Sequence, residues 1–189
     1  DLTKEESKES MDFIMSGDAT SAQIAAFLVS LRIKGETIEE ITGMASSMRN
    51  NSLTVPNTEY LVDTCGTGGD GFGTINASTI SAIIAAAGGV KVAKHGNRAA
   101  SSKSGSADVL EGLGVIIDLS PDLVAESIHK TNFGFMFAQT FHPAMRHVGP
   151  TRRELGIRTV FNFLGPLTNP ARANAQVLGV SDPTIGNNP

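Results

Sequence analysis

The chain has no tryptophan and only one cysteine among its 189 residues. A single cysteine, Cys65, excludes a disulfide framework and a zinc site built from several cysteines. No uninterrupted apolar run reaches the roughly 18 to 20 residues that a transmembrane helix needs, and no signal-peptide pattern opens the chain. These absences predict an intracellular, cytoplasmic protein without a membrane partner.

Acidic residues are missing from one long internal stretch. The whole chain carries a formal charge of −4, which argues against a nucleic-acid partner. Residues 71–107 nevertheless contain no aspartate or glutamate, whereas they contain four lysines and arginines. A local basic stretch in an acidic protein is typical of a site for a small anionic ligand. Chance clustering in a chain of low overall charge is the alternative.

The order of predicted elements gives the fold class. Three capping boxes, each a threonine followed three residues later by Glu or Gln, start helices at 3–16, 21–34 and 38–49. Strands are then predicted at 60–65, 90–93, 115–117 and 133–138, and helices at 78–87, 108–113, after Ser120 and at 143–155. Alternating strands and helices predict an α/β fold with an open, mostly parallel sheet flanked by helices. We therefore place a helical domain at residues 1–58 and an α/β domain at residues 59–189.

A glycine-rich loop follows the first predicted strand. From Gly66 to Gly73 it has five glycines in eight residues, including a literal G-x-G-x-x-G. A dinucleotide site would need an acid about 20 residues further on, and a Walker A motif would need Lys-Ser/Thr after the glycines. Both are absent. The remaining interpretation is a loop whose backbone N–H groups approach an anion, at the start of a helix that also favours phosphate. A plain strand-to-helix turn is the alternative.

A second loop follows the next predicted strand, from Lys94 to Ser106. It combines the cations Lys94 and Arg98 with Gly96 and several serine hydroxyls. Open α/β sheets bind ligands at the carboxyl ends of their strands. Two such loops after consecutive strands predict a ligand with two anionic ends, and an exposed loop without a ligand is the alternative.

Seven segments of the chain resemble the anthranilate phosphoribosyltransferase family. They are Gly66-Thr67-Gly68-Gly69-Asp70, Asn76-x-Ser78-Thr79, Lys94-His95-Gly96-Asn97, Ser102 to Leu110, His142-Pro143-Ala144-Met145, Arg152 to Thr159, and Asn162 to Pro170. The resemblance covers essentially the whole chain. It implies transfer of the phosphoribosyl group of 5-phosphoribosyl 1-diphosphate (PRPP) to the amine of anthranilate, with release of pyrophosphate, in tryptophan biosynthesis. It also implies Mg2+ as cofactor and a homodimer formed through the N-terminal helices.

The resemblance assigns roles to individual residues. It implies PRPP contacts at Gly66, Gly69, Asp70, Thr74, Asn76, Ala77, Ser78, Thr79, Lys94, His95, Gly96, Asn97, Arg98, Ala99, Ala100, Ser101, Ser102 and Ser106. It implies anthranilate contacts at Gly66, His95, Asn97, His142 and Arg152, and one magnesium ligand at Ser78. No residue is implied as a general acid or base.

One feature of the family is missing from this sequence. The family's second magnesium site uses an adjacent Asp-Glu pair, and no such dipeptide occurs here. The resemblance therefore implies a chain that is shorter at its C-terminal end, with an incomplete sheet. We expect PRPP binding rather than full turnover from this chain alone. Two other functions stay open: a pyrimidine nucleoside phosphorylase, and a non-catalytic relative that binds nucleic acid or a partner protein.

Overall fold

The computed structural model describes residues 1–68, 75–99 and 104–180. By its contacts the chain divides into two compact units. The first unit comprises Asp1–Ser52 and His142–Thr168, and the second comprises Leu53–Phe141 and Asn169–Pro189. The first unit thus takes in a later stretch that lies beyond the boundary predicted after residue 58.

The elements follow one another in this order. The first half contains α1 (Lys4–Ser16), α2 (Ser21–Lys34), α3 (Ile38–Asn50), β1 (Val62–Asp63), α4 (Ala77–Ala87) and β2 (Val92–Gly96). The second half contains α5 (Ser106–Gly112), α6 (Pro121–Thr131), β3 (Phe133–Phe137), α7 (Ala138–Phe141), a 3-10 helix (Pro143–His147), α8 (Gly149–Leu155), α9 (Phe161–Leu167) and β4 (Ala175–Gln176). No helix in these ranges is long and apolar enough to cross a bilayer.

The first unit is a helical bundle whose core joins both of its segments. All three predicted capping boxes are present, at Thr3, Thr20 and Thr37, and they start α1 to α3 where the sequence predicted. The apolar faces of these helices bury Met11, Leu28 and Met44 together with Val148, Val160 and Leu164 from the later segment. This shared core explains why the unit is discontinuous in sequence.

The second unit is built on a four-stranded sheet in the order β3-β2-β1-β4, and all of its strand pairs are parallel. Because side chains alternate along β2 and β3, the two faces of the sheet bury different helices. On one face α6 packs through Val124 and Ile128 against Met136. On the other face α4 and α5 cover the sheet through Ala82 and Leu110, among others. The predicted parallel sheet flanked by helices is confirmed.

Several predicted elements differ from the structure. The strand predicted at 90–93 extends to Gly96, so the first three residues of the predicted second loop, 94–96, belong to β2. Residues 115–117 form no strand, because Ile117 packs beside α5 while Ile116 is exposed and the segment pairs with no other strand among the described residues. The helix predicted over 143–155 is divided into the 3-10 helix and α8. Pro150 lacks the N–H that a continuous helix would use, so the chain starts a new helix there.

Glu40 gives the first unit a pH-dependent stability. Its side chain is fully buried and accepts hydrogen bonds from the Leu2 and Thr37 amides, at 2.8 Å each, and from Lys34 Nζ at 2.9 Å. Burial alone would raise the pKa of Glu40, but these three donors outweigh it and lower the pKa to about 2.

We expect Glu40→Gln to lower the free energy of unfolding by about 1–3 kcal/mol at neutral pH. A depressed folded-state pKa stabilises the fold above the ordinary glutamate pKa, and that contribution is lost as the pH falls from about 4.5 toward about 2. The difference between parent and variant should therefore shrink over this window in urea titrations. Glu39→Gln, an exposed neighbour, is the control. A difference that stays constant with pH would contradict the role of the charge.

Candidate functional site

The ends of β1 and β2 lie side by side in the sheet, and each leads into one of the two predicted anion loops. Gly66 lies against the backbone of Gly179, so that a Cβ would come to 2.9 Å from the Gly179 carbonyl oxygen. Gly68 adopts a φ of +63°, which favours glycine. At the end of β2, a Cβ on Gly96 would meet the Phe135 ring at 2.9 Å. Gly66 and Gly96 therefore let the backbone pack closer to its neighbours than a residue with a Cβ would allow.

Lys94 is the most unusual side chain of this region, because it is fully buried. Its Nζ donates to Ser78 Oγ at 2.5 Å, to Thr64 Oγ1 at 3.2 Å and to the Thr64 carbonyl oxygen at 3.4 Å. Burial lowers the pKa of Lys94, and the nearby Asp63 carboxyl group opposes that shift. The ammonium group is thus held by oxygens at the junction of β1, β2 and α4.

Asp63 and Cys65 lie on either side of Thr64, and burial raises the pKa of both side chains. Asp63 is fully buried, and this burial raises its pKa, although the Asn169 side chain, the His95 amide and the Lys94 ammonium counteract the change. Burial also raises the pKa of the Cys65 thiol to about 12. A thiol with that pKa is not ionised at neutral pH, which excludes Cys65 as an activated nucleophile.

The Ser78 hydroxyl forms two hydrogen bonds with other described residues, and these leave one lone pair of its oxygen unused. Its hydroxyl donates to the Thr64 carbonyl oxygen at 2.5 Å and accepts from Lys94 Nζ. A hydroxyl oxygen has two acceptor lone pairs, so one remains for a further partner. Within residues 1–68, 75–99 and 104–180, no cluster of three His, Cys, Asp or Glu side chains could hold a metal. Among the described residues, the Ser78 hydroxyl could supply one oxygen ligand to Mg2+.

The start of α4 is capped by the side chain of Asn76. Asn76 Oδ1 accepts a hydrogen bond from the Thr79 amide at 3.1 Å, and the Ala77 amide donates to the Ile75 carbonyl oxygen. Asn76 is therefore an N-cap in this structure. An N-cap role leaves the positive end of the helix directed toward the loop after β1.

Asp108 shapes the second loop. One of its carboxylate oxygens, Oδ2, accepts hydrogen bonds from the amides of Ala99 at 2.9 Å and Gly105 at 2.8 Å. The Arg98 guanidinium bonds to Glu111 at 2.7 Å and to Asp108 at 3.2 Å. Arg98 is therefore neutralised by two carboxylates of α5, which the sequence reasoning did not foresee.

A matched pair of glycines tests the packing of this loop. A Cβ on Gly105 would collide with the backbone of Asn97, Arg98 and Ala99, whereas a Cβ on Gly112 in the same helix meets nothing. We expect Gly105→Ala to lower the free energy of unfolding by about 1–3 kcal/mol. Gly112→Ala should leave it unchanged or raise it by up to about 1 kcal/mol. Urea titrations of both variants measure this, and equal effects would contradict the packing described.

The structure places the predicted residues in two groups. The second unit contains Gly66, Asn76, Ala77, Ser78, Thr79, Lys94, His95, Gly96, Asn97, Arg98, Ala99 and Ser106, at or after the ends of β1 and β2. The first unit contains His142 and Arg152. Outside the described residues lie Gly69, Asp70, Thr74, Ala100, Ser101 and Ser102, so their roles stay predictions.

Arg152 has the properties of an anion-binding arginine. It is half-buried on α8, and burial lowers its pKa. Its guanidinium lies over the Phe161 ring, 5.0 Å from the centroid. Among the described residues, no carboxylate and no hydrogen-bond acceptor pairs with this guanidinium. A partly desolvated guanidinium stacked on a ring is suited to a planar carboxylate.

Asp63 is the residue that sequence reasoning missed. It lies within an apolar strand segment, Tyr60 to Cys65, and nothing in that segment assigned it a role. The signal that could have found it is the charge itself, because an aspartate in a buried strand needs hydrogen-bond partners.

Comparison with known proteins defines the family. A family model described as the glycosyl transferase family, a/b domain, matches residues 58–188, and one described as its helical bundle domain matches residues 1–52. The chain belongs to this glycosyl transferase family. The first match covers well over half of the chain.

Individual members of the family agree with the resemblance seen in the motifs. An anthranilate phosphoribosyltransferase from Acetivibrio thermocellus is 60% identical over 185 residues, which are 97% of this chain and 54% of that protein. The crystal structure of the Thermus thermophilus anthranilate phosphoribosyltransferase superposes with a TM-score of 0.92 at 54% identity, covering 97% of this chain and 56% of that one. The chain thus spans about half the length of the curated relatives it matches.

A more distant structure carries ligands. Anthranilate phosphoribosyltransferase from Saccharomyces cerevisiae, in complex with PRPP and Mg, has a TM-score of 0.86 and 33% identity over 95% of this chain and 54% of its own. The recognition made from the sequence motifs is therefore confirmed, as is the fold class.

Proposed function

We propose that the protein transfers the phosphoribosyl group of PRPP to the amine of anthranilate, releasing pyrophosphate. The observation that carries this proposal is the fully buried Lys94 where β1, β2 and α4 meet, in a chain 60% identical to an anthranilate phosphoribosyltransferase. A buried ammonium beneath two loops suits a ligand with anionic groups at both ends. A ligand with anionic groups also accounts for the absence of aspartate and glutamate from residues 71–107.

The reaction makes clear demands on the protein. The bond between C1 of the ribose and the diphosphate oxygen breaks, the electron pair leaves with pyrophosphate, and the anthranilate nitrogen bonds to C1 and then loses a proton. Negative charge develops on the leaving group. Fixed donors that are already in place stabilise such charge best, because they need no reorganisation during the reaction. The N-terminus of α4 supplies fixed donors of this kind, and the buried Lys94 ammonium adds positive charge beside Ser78 on that helix.

Magnesium would bind at the site together with the diphosphate group of PRPP. When bound, it would neutralise phosphate charge and stabilise pyrophosphate as a leaving group. Ser78 would supply one oxygen ligand through its remaining lone pair. Asp70 and Thr74 remain proposed PRPP contacts on the resemblance alone.

For the acceptor substrate we propose Arg152 as the partner of the anthranilate carboxylate, with Asn97, His95, His142 and Gly66 as further contacts. A guanidinium binds a carboxylate through two parallel hydrogen bonds, which fixes the orientation of the ring. The amine of anthranilate is neutral, so correct positioning over C1 replaces activation by a strong base.

The direct test follows the loss of anthranilate fluorescence in the complete protein that contains this sequence. Consumption should require both PRPP and Mg2+ and should release pyrophosphate. No consumption, together with tight binding of DNA, would favour a non-catalytic relative. Consumption of a pyrimidine nucleoside with orthophosphate would favour a nucleoside phosphorylase instead.

Two further properties stay proposals. Homodimerisation through α1 to α3 is supported by the exposure of apolar side chains there, such as Ile33, which is 81% exposed. A cytoplasmic location is supported by the family's biosynthetic role.

A further inference from the structure

Asp63 is the last residue of β1, and its side chain contacts both neighbouring strands, β2 and β4. Its Oδ1 atom accepts hydrogen bonds from the Thr64 amide at 2.7 Å and from the His95 amide at 3.2 Å. Its Oδ2 atom accepts from Gln176 Nε2 at 3.2 Å. Thr64 opens the loop after β1, His95 lies near the end of β2, and Gln176 belongs to β4. One carboxyl group therefore joins the carboxyl ends of β1, β2 and β4.

Lys94 completes a reciprocal arrangement. Asp63 projects from β1 and holds the backbone of β2, while Lys94 projects from β2 and holds Thr64 after β1 and Ser78 on α4. We call these two side chains with their contacts the Asp63–Lys94 clasp. Ordinary ladder hydrogen bonds already pair β1 with β2 at Val62 and Val92. The clasp adds side-chain contacts beyond that pair, at the residues where the loops leave the sheet.

Burying the Asp63 carboxyl group carries a solvation cost, and this cost indicates that the group has a role at the site. A carboxyl group removed from water loses its solvation unless donors replace the water. An apolar residue would fill the same position in a buried strand without that cost. The retained carboxyl group fixes two backbone amides relative to each other, and no aliphatic side chain can do that.

We propose that Asp63 is a positioning residue for PRPP, which sets the spacing between the loop after β1 and the loop after β2. This inference rests on the proposed function, because the spacing matters for a ligand that contacts both loops. Asp63 acts through the Thr64 and His95 amides and through the position of Lys94. It lies within the protein core and has no exposed surface.

The test compares PRPP binding by the parent chain with binding by Asp63→Ala and Asp63→Asn, using calorimetry with PRPP and MgCl2. Asp63→Ala should raise the dissociation constant for PRPP by about tenfold or more, because both amides lose their acceptor. Asp63→Asn keeps one acceptor oxygen and should recover most of the affinity, leaving a rise of about threefold. The KM for anthranilate in the complete protein should change less than about twofold in both variants.

A stability control separates positioning from general destabilisation. Val124→Ala removes a fully buried side chain of α6 and should lower the midpoint of urea unfolding, without touching the loops. Its PRPP dissociation constant should stay within about twofold of the parent value. If Val124→Ala weakens PRPP binding as much as Asp63→Ala does, the positioning role is wrong.

Further results of the binding experiment test the positioning role of Asp63 and the proposed function separately. A folded Asp63→Ala variant with parental PRPP affinity would overturn the inference and leave the proposed function intact. If Asp63→Ala does not fold, Asp63→Asn decides, and an unchanged dissociation constant there overturns the inference. A parent chain that binds neither PRPP nor pyrophosphate would refute the proposed function itself, and the inference with it.

Discussion

Replacing Lys94 with methionine is expected to raise the dissociation constant for PRPP by about tenfold or more, since it removes a buried positive charge that is held against Ser78 at the start of α4. Methionine matches lysine in length and apolar stem, so the core stays filled. The variant leaves Ser78 and Thr64 without their shared donor and removes the positive charge nearest to Asp63. We expect a loss of about 1–3 kcal/mol in the free energy of unfolding, which urea titration measures separately.

Lys91→Met is the matched control for Lys94→Met. Lys91 precedes β2, forms an ion pair with Glu59 at 2.7 Å and is partly exposed. Its replacement removes the same charge three residues away. The PRPP dissociation constant should then change by less than about threefold, because a partly exposed pair is screened by solvent. Equal weakening by both substitutions would show that net charge, rather than the buried ammonium, governs binding.

Replacing Arg152 with alanine is expected to raise the KM for anthranilate by about 30-fold or more, with a change of less than about threefold for PRPP. The guanidinium is half-buried, stacks on Phe161 and has no anionic partner among the described residues. A carboxylate ligand would supply that partner. Steady-state kinetics of the complete protein, with each substrate varied in turn, measure both values.

Arg153→Ala provides the control for Arg152. Arg153 is the next residue of α8 and is exposed, so its removal changes the same charge without removing a buried group. It should alter neither KM by more than about twofold. An equal rise in the KM of both substrates on Arg152→Ala would contradict a role specific to anthranilate.

Local signals in the sequence predicted much of the fold. The capping boxes at Thr3, Thr20 and Thr37 fixed three helix starts because each involves residues only three apart. The existence and order of β1 and β2 were predicted because apolar runs stop near glycine-rich segments, although β1 ends two residues earlier and β2 three residues later than predicted. Lys94 was singled out with the second loop for its charge, although its complete burial was not predicted.

The missed features depend on contacts between residues far apart in sequence. The Asp63 carboxyl group is satisfied by partners 32 and 113 residues away, at His95 and Gln176. The Arg98 guanidinium is held by Glu111, 13 residues further along. The return of residues 142–168 to the helical unit depends on a core shared with α1 to α3. No window of neighbouring residues contains these pairings.

We propose that one ligand with two anionic ends occupies both loops. Calorimetric titration of this chain in MgCl2 with PRPP, and separately with ribose 5-phosphate and with pyrophosphate, tests it most directly. PRPP should bind at one site per chain, at least about tenfold more tightly than either half, and each half should compete with it, because linked groups share one loss of translational freedom. Equal affinities for PRPP and one half alone, or no binding of any of the three, would contradict the account.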